Sequence, residues 1–473
     1  MITFVHKDAS LDQTAHFRQL YIWVIAITAA MGGLLFGYDF VVIGGAKPFF
    51  ERFFELTDAA MKGWANSCAL IGCLFGALFA GWLSDKFGRK RLLIFSAFLF
   101  TVTSIGIGFS QEFLVFVIWR IFGGVAIGLA SGLSPMYIAE IAPAHMRGKL
   151  VSINQLTIVV GILAAQLINY LIAERMPDGM TEEMIRVSWN GQIGWRWMFG
   201  VTAVPSLIFL ISMFFAPESP RWLAKNGNNK KAQAILAKIG GEAYAQKAIG
   251  EIEETLVNDI KKVDLRELLE PKMKKVLLIG IVLAVFQQWC GINVIFNYAE
   301  EIFLQAGYDI SDTLANIAWT GSVNLVFTLI AIAIVDRKGR RYLMLLGSAG
   351  LAIIYIGVGL GYFINLTGFP MLFMVLAAIG TFAMSLGPVT WVLISEIFPN
   401  RIRGTAMSVA VASLWIACFI LTFTFPLLNA QLGAAKTFWI YSAICIGGFI
   451  FIKLKLPETK GKTLEQIEKE LVD

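Results

Sequence analysis

The fold class this sequence predicts is an all-α membrane protein, with twelve transmembrane helices arranged as two six-helix bundles. Three observations predict it. The 473 residues are 57% hydrophobic and only 15% charged, where a soluble globule carries about 25% charged residues, and the mean hydropathy is +0.70. Apolar runs of roughly 20 residues recur from one end to the other, each long enough to cross about 30 Å of hydrocarbon. Three charged motifs also recur in the same order in both halves of the chain.

The runs read as helices because stretches such as 276–286 and 438–451 are apolar nearly all round, whereas barrel strands alternate over about 10 residues. Candidate helices lie near 20–43, 61–83, 92–110, 112–138, 149–173, 196–216, 274–303, 313–335, 342–364, 368–396, 404–428 and 434–455. An even number puts both termini on one side. The basic clusters at 86–91, 147–149, 337–341, 401–403 and 453–462 fall on that side, which the positive-inside rule makes cytoplasmic. The protein is thus expected in the cell inner (plasma) membrane as a multi-pass chain. The outer loops near 44–60 and 174–195 carry a few charges.

The net charge of +6 does not indicate nucleic acid, because most Lys and Arg residues sit in the loops. Cys68, Cys73, Cys290, Cys418 and Cys445 lie inside apolar runs without paired or metal-type spacing, so no disulfide framework, metal site or cofactor is expected. The domain organisation expected is a first bundle (1–216), a polar helical linker (217–273), a second bundle (274–456) and a tail (457–473). Helical segments are expected in the linker around 230–239 and 248–263.

The duplication is specific. Asp85, Gly88 and Arg89 after the second helix match Asp336, Gly339 and Arg340 after the eighth. Glu140 with Arg147 after the fourth matches Glu396 with Arg403 after the tenth, and Pro217-Glu218 after the sixth matches Pro457-Glu458 after the twelfth. Three pairs in register indicate bundles related by an axis along the membrane normal. The charged residues read either as static anchors or as a breakable ion-pair latch at the cytoplasmic side.

Ionisable residues inside membrane helices are costly, so each is a functional candidate. Asp39 is expected about five residues from the outer end of helix one and Arg120 about eight from that of helix four, depths of roughly 7 and 12 Å that allow them to pair. That pair is either structural or a proton-coupling switch. Helix seven supplies uncharged amides, Gln287, Gln288 and Asn293, which either bind one another across helices or offer donors and acceptors to a polar ligand. Gly291 is expected to bend that helix, and Pro388 near Trp391 suggests a second broken helix.

These residues carry a family pattern. Gly37-Tyr38-Asp39, Asp85 to Arg91, Arg120 with Gly123-Gly124, Pro135-Met136-Tyr137, Glu218-Ser219-Pro220-Arg221-Trp222, Gln287-Gln288 with Gly291-Ile292-Asn293, Gly387-Pro388 with Trp391, and Pro457-Glu458-Thr459 resemble the sugar porter family of the major facilitator superfamily. The likeness is greatest to its bacterial proton-coupled xylose symporters. The resemblance implies symport of a pentose or hexose with protons by alternating access. It implies proton coupling at Asp39, and sugar contacts from Gln155, Gln287, Gln288, Asn293 and Trp391, with Phe36, Tyr298 and Trp415 nearby. It also makes Asp85, Arg89, Glu140, Arg147, Glu218, Arg221, Asp336, Arg340, Glu396, Arg403 and Glu458 the cytoplasmic gate. Leu414, Ile162, Asn297 and Thr202 depart from the xylose symporter pattern. A facilitative sugar uniporter, or a sugar sensor on a transporter fold, are the alternatives. An enzyme is not expected, because no nucleophile with its base and no phosphate-binding loop is present. The protein is expected to work as a monomer.

Overall fold

The computed structural model describes residues 17–177, 179–258, 270–398, 403–460 and 462. The first half contains α1 (Gln19–Phe53), α2 (Ala59–Phe87), α3 (Arg89–Gly108), α4 (Phe113–Ile141) and α5 (Arg147–Ile172). After these come the short α6 (Glu182–Val187), a π-helical turn (Asn190–Gly194), α7 (Trp195–Gly200) and α8 (Ala203–Phe215). Between the halves run α9 (Pro220–Lys225), α10 (Asn229–Gly240) and α11 (Glu242–Asn258). The second half holds α12 (Pro271–Trp289), α13 (Ile292–Asn297), α14 (Ala299–Gln305), α15 (Ile310–Lys338) and α16 (Arg340–Phe363), followed by α17 (Phe369–Met384), α18 (Leu386–Ile397) and α19 (Arg403–Lys455).

Among the described residues, 11 helical stretches are long and apolar enough to cross a membrane. The last, Thr405–Lys455, has 51 residues, far longer than one crossing at about 1.5 Å per residue. Gly433, at φ 76 inside it, lies outside helical geometry and divides it into two crossings. Twelve crossings result, as the apolar runs predict.

Close packing inside each bundle depends on missing side chains, because lipid supplies no hydrophobic force between helices and backbones must approach closely. A Cβ at Gly124 of α4 would collide with the Ala69 carbonyl of α2, and one at Gly37 of α1 would collide with the Ile158 carbonyl of α5. The turns of the repeated motifs are also duplicated in the backbone. Gly88 (φ 96, ψ 159) joins α2 to α3 and Gly339 (φ 93, ψ 153) joins α15 to α16, a left-handed-side conformation that suits glycine alone.

The two expected helix breaks are present, with their physical causes visible. Gly291, at φ 89, separates α12 from α13. Ser385 (φ −133, ψ −91) separates α17 from α18, three residues before Pro388, whose ring would clash with the carbonyl of Met384 in a continuous helix.

Three expectations need correction. Helix one does not stop near 43: α1 continues to Phe53, through Lys47, Pro48, Glu51 and Arg52. Much of the expected outer loop at 44–60 is therefore helix, because its charges are neutralised by partners from the second half. Asp39 in consequence lies mid-helix rather than close to an end. In the linker, α11 begins at Glu242, ahead of the expected 248. Five of its expected residues, 259–263, lie outside the described ones, as does the tail beyond 462.

Candidate functional site

Asp39 on α1 and Arg120 on α4 meet in the interior of the first half. The guanidinium Nη1 of Arg120 lies 3.4 Å from both carboxylate oxygens of Asp39, with the side chains 2% and 6% exposed. The two meet although α1 runs ten residues beyond the expected end near 43. Charge-assisted N–H···O bonds are usually about 2.7–2.9 Å, so this forked contact is a loose one. On its other side the guanidinium stacks 5.3 Å from the Phe199 ring centroid, and its Nε is buried without a partner. Such a pair is costly to hold and costly to break one-sidedly. A proton delivered to Asp39 is therefore a change of charge state that the surroundings must answer. Thr202, also fully buried, cannot share that role.

The amides form a chain on the second half. Gln288 Nε2 donates to Gln287 Oε1 at 2.6 Å, Asn293 Nδ2 donates to Gln288 Oε1, and Asn293 Nδ2 also reaches Cys418 Sγ at 3.5 Å. The bend at Gly291 brings Asn293 back onto the face of the glutamines, which an unbroken helix does not do. Tyr298 is fully buried and donates to the Thr422 carbonyl at 2.6 Å. Opposite stands Phe36 of α1, its ring centroid 5.9 Å from that of Trp415 on α19, and the Trp415 indole N–H is buried and unpartnered. Gln155 on α5 and Trp391 on α18 are half-buried and lie outside this hydrogen-bonded chain. A sugar hydroxyl can replace each amide–amide bond one for one, so opening this chain to a polar ligand costs little net hydrogen bonding.

The repeated motifs fold into two matching clusters. Arg89 pairs with Asp85 at 3.0 Å and with Glu140 at 3.1 Å, and Lys225 pairs with Asp85 at 2.9 Å. Arg340 pairs with Glu396 at 3.2 Å. Glu218 accepts the backbone N–H groups of Arg89 and Lys90, both at 3.1 Å, and Glu458 accepts those of Arg340 and Arg341 at 2.9 and 3.1 Å. Each carboxylate thus caps the positive N-terminus of α3 or α16. Ser219 and Thr459 then donate to Glu140 and Glu396 respectively. None of these bonds joins the first half to the second, and Lys225 belongs to α9 between them. Arg147 and Arg221 are exposed, and the side chains of Asp336 and Arg403 lie outside the described residues.

A third charged cluster, at the opposite end of the bundle from these two, is not legible in the sequence. Lys47, Glu51 and Arg52 of α1 meet Glu300 and Glu301 of α14. Lys47, Glu51 and Arg52 fall in the expected outer loop near 44–60, and Glu300 and Glu301 at the end of the expected helix 274–303, with nothing local to join them. Gln166 of α5 likewise donates to Thr320 of α15 at 3.0 Å across the halves.

The family model for "Sugar (and other) transporter" matches residues 25–471. The chain belongs to this sugar transporter family. It is 40% identical to the D-xylose-proton symporter of Escherichia coli (strain K12), with 96% of each chain covered. It is 39% identical to the arabinose-proton symporter of Bacillus subtilis (strain 168), with 95% of each covered. The solved xylose transporter of Escherichia coli in a partially occluded inward-open conformation superposes with a TM-score of 0.82 at 37% identity, covering 94% of this chain and 100% of that one. The same symporter bound to 6-bromo-6-deoxy-D-glucose gives 0.79. The protein is a multi-pass inner-membrane transporter of the major facilitator fold, in a family of transporters rather than enzymes.

Proposed function

We propose that the protein is a proton-coupled monosaccharide symporter that works by alternating access, as a monomer with both termini in the cytoplasm. The observation that carries the coupling is the buried Asp39–Arg120 pair, 3.4 Å apart, in a chain whose relatives include D-xylose and arabinose proton symporters. Asp39 takes a proton from outside, loses its hold on Arg120 and so releases the first half to rock. The sugar binds between the halves against Gln287, Gln288 and Asn293, with Gln155 and Trp391 approaching as the cavity closes around it. Phe36 and Trp415 supply the flat apolar surface for the C–H face of the ring. The two charged clusters, centred on Arg89 and Arg340, form the cytoplasmic gate.

The test is uptake into proteoliposomes with an imposed pH gradient, acid outside, screened over pentoses, hexoses and inositol. For one proton per sugar, each pH unit is expected to raise the limiting accumulation by about tenfold, and an uncoupler is expected to collapse it. Equal final levels with and without the gradient would make the protein a facilitative uniporter.

A further inference from the structure

The charged cluster at the end opposite the repeated motifs spans the interface between the halves. The Lys47 ammonium, 1% exposed, lies 2.7 Å from Glu301 and 3.4 Å from both Glu51 and Glu300. Arg52 adds a contact of 3.2 Å to Glu300. On the near side Glu51 is held by Lys62 at 3.8 Å and accepts from Asn66 at 3.2 Å. Lys47, Arg52 and Lys62 against Glu51 and Glu182, the latter paired with Arg52 from α6, leave the first-half side of the cluster one positive charge in surplus, while Glu300 and Glu301 make the facing α14 negative.

We propose that Lys47 of α1, with Glu300 and Glu301 of α14, is a charge latch that clamps the outer mouth between the halves shut, and that this mouth opens only when the latch breaks. The element carrying the acidic side is built to move. The segment from α13 to α14 is set off from α12 by Gly291 and interrupted again at Tyr298 (φ −122, ψ 26). Its first helix carries the sugar-site candidate Asn293 and its second carries the two glutamates in the first turn. Lys47 also lies 5.5 Å from the Tyr298 ring centroid, so the latch and the sugar site share a residue. The ion pairs described for the charged clusters at the other end do not join the two halves, while the Lys47 cluster bonds across them. The bonds from Lys47 to Glu300 and Glu301 are those of a carrier closed at the outer mouth.

The closed and open mouths respond differently to lost charge. Removing the ammonium leaves Glu51, Glu300 and Glu301 with only Arg52 against Glu300 and the more distant Lys62 against Glu51, a shortage of positive charge that a closed mouth tolerates poorly and an open mouth relieves by hydration. Removing Glu301, the most exposed of the three at 21%, leaves Lys47 still matched by two carboxylates. Lys47→Gln is therefore the stronger opener and Glu301→Gln the weaker. Lys47 is a positioning residue here, and the proposal rests on alternating access but not on proton coupling.

The experiment uses Asn297→Cys as a reporter, since Asn297 is 3% exposed and ends α13, on the Asn293 side of the interruption at Tyr298. A membrane-impermeant maleimide is applied to the outer face of oriented vesicles without sugar or pH gradient, so failure of coupling leaves the outcome untouched. The chain with Asn297 intact sets the background from its five buried cysteines. Lys47→Gln is expected to speed labelling about tenfold or more over the reporter alone, Glu301→Gln by less. The exchange Lys47→Glu with Glu301→Lys is expected to label more slowly than Lys47→Gln. Equal rates in all four, or the reverse order, would overturn the latch. Should Lys47→Gln unfold, seen as labelling of Cys445, the ranking of Glu301→Gln and the exchange against the reporter decides it.

Discussion

Asp39→Asn is expected to abolish accumulation of sugar against its gradient while leaving counterflow exchange in place. Asparagine keeps the size of the aspartate and a carbonyl oxygen for Arg120, but has one charge state. Arg120 at 2% exposure then faces a permanently neutral partner, which mimics the protonated symporter. A chain held in that state still passes sugar both ways, because the amides of α12 and α13 are untouched. What it loses is the requirement that a proton enter first. The accumulation ratio in proteoliposomes is expected to fall to one, with exchange of labelled for unlabelled sugar retained. Loss of both activities would make the pair a structural element of the first half.

Gln288→Ala is expected to have the largest effect on sugar affinity. Gln288 is the central link of its chain, donating to Gln287 and accepting from Asn293. Truncation removes bonds to the sugar and strands both neighbours, and a buried polar group left unsatisfied costs about 1–3 kcal/mol. Binding is expected to weaken by roughly 5- to 150-fold on that basis. Equilibrium titration of the purified protein measures it, with Asp39→Asn expected to stay close to the parent. An unchanged affinity in Gln288→Ala would move the site away from α12.

The sequence made the twelve crossings, the duplication and the candidate pair legible because each rests on local information. An apolar run declares its own helix, and Asp39 and Arg120 declare themselves by their cost in lipid. The breaks at Gly291 and near Pro388 were legible for the same reason. The extent of α1 was not. Lys47, Glu51 and Arg52 look like loop residues until their partners are known, and Glu300 lies 253 positions from Lys47. Neutralisation at that separation turns an apparent loop into buried helix. The repeated motifs were recognisable as a pattern, but their use was not: Glu218 and Glu458 cap the next helix of their own half, a role that emerges only when the chain has folded back on itself. Gln166 and Thr320 carry no local sign that they bridge the halves.

The central claim is that a proton bound in the first half controls movement of a sugar held mainly by the second. Sugar-induced proton movement tests it most directly. Proteoliposomes with no imposed gradient and with the membrane potential clamped are given sugar from outside, and the pH of the weakly buffered medium is followed. The account predicts a prompt alkalinisation with the parent chain and none with Asp39→Asn, although sugar still enters. Sugar entry without any pH change in the parent, or the same alkalinisation in Asp39→Asn, would contradict it.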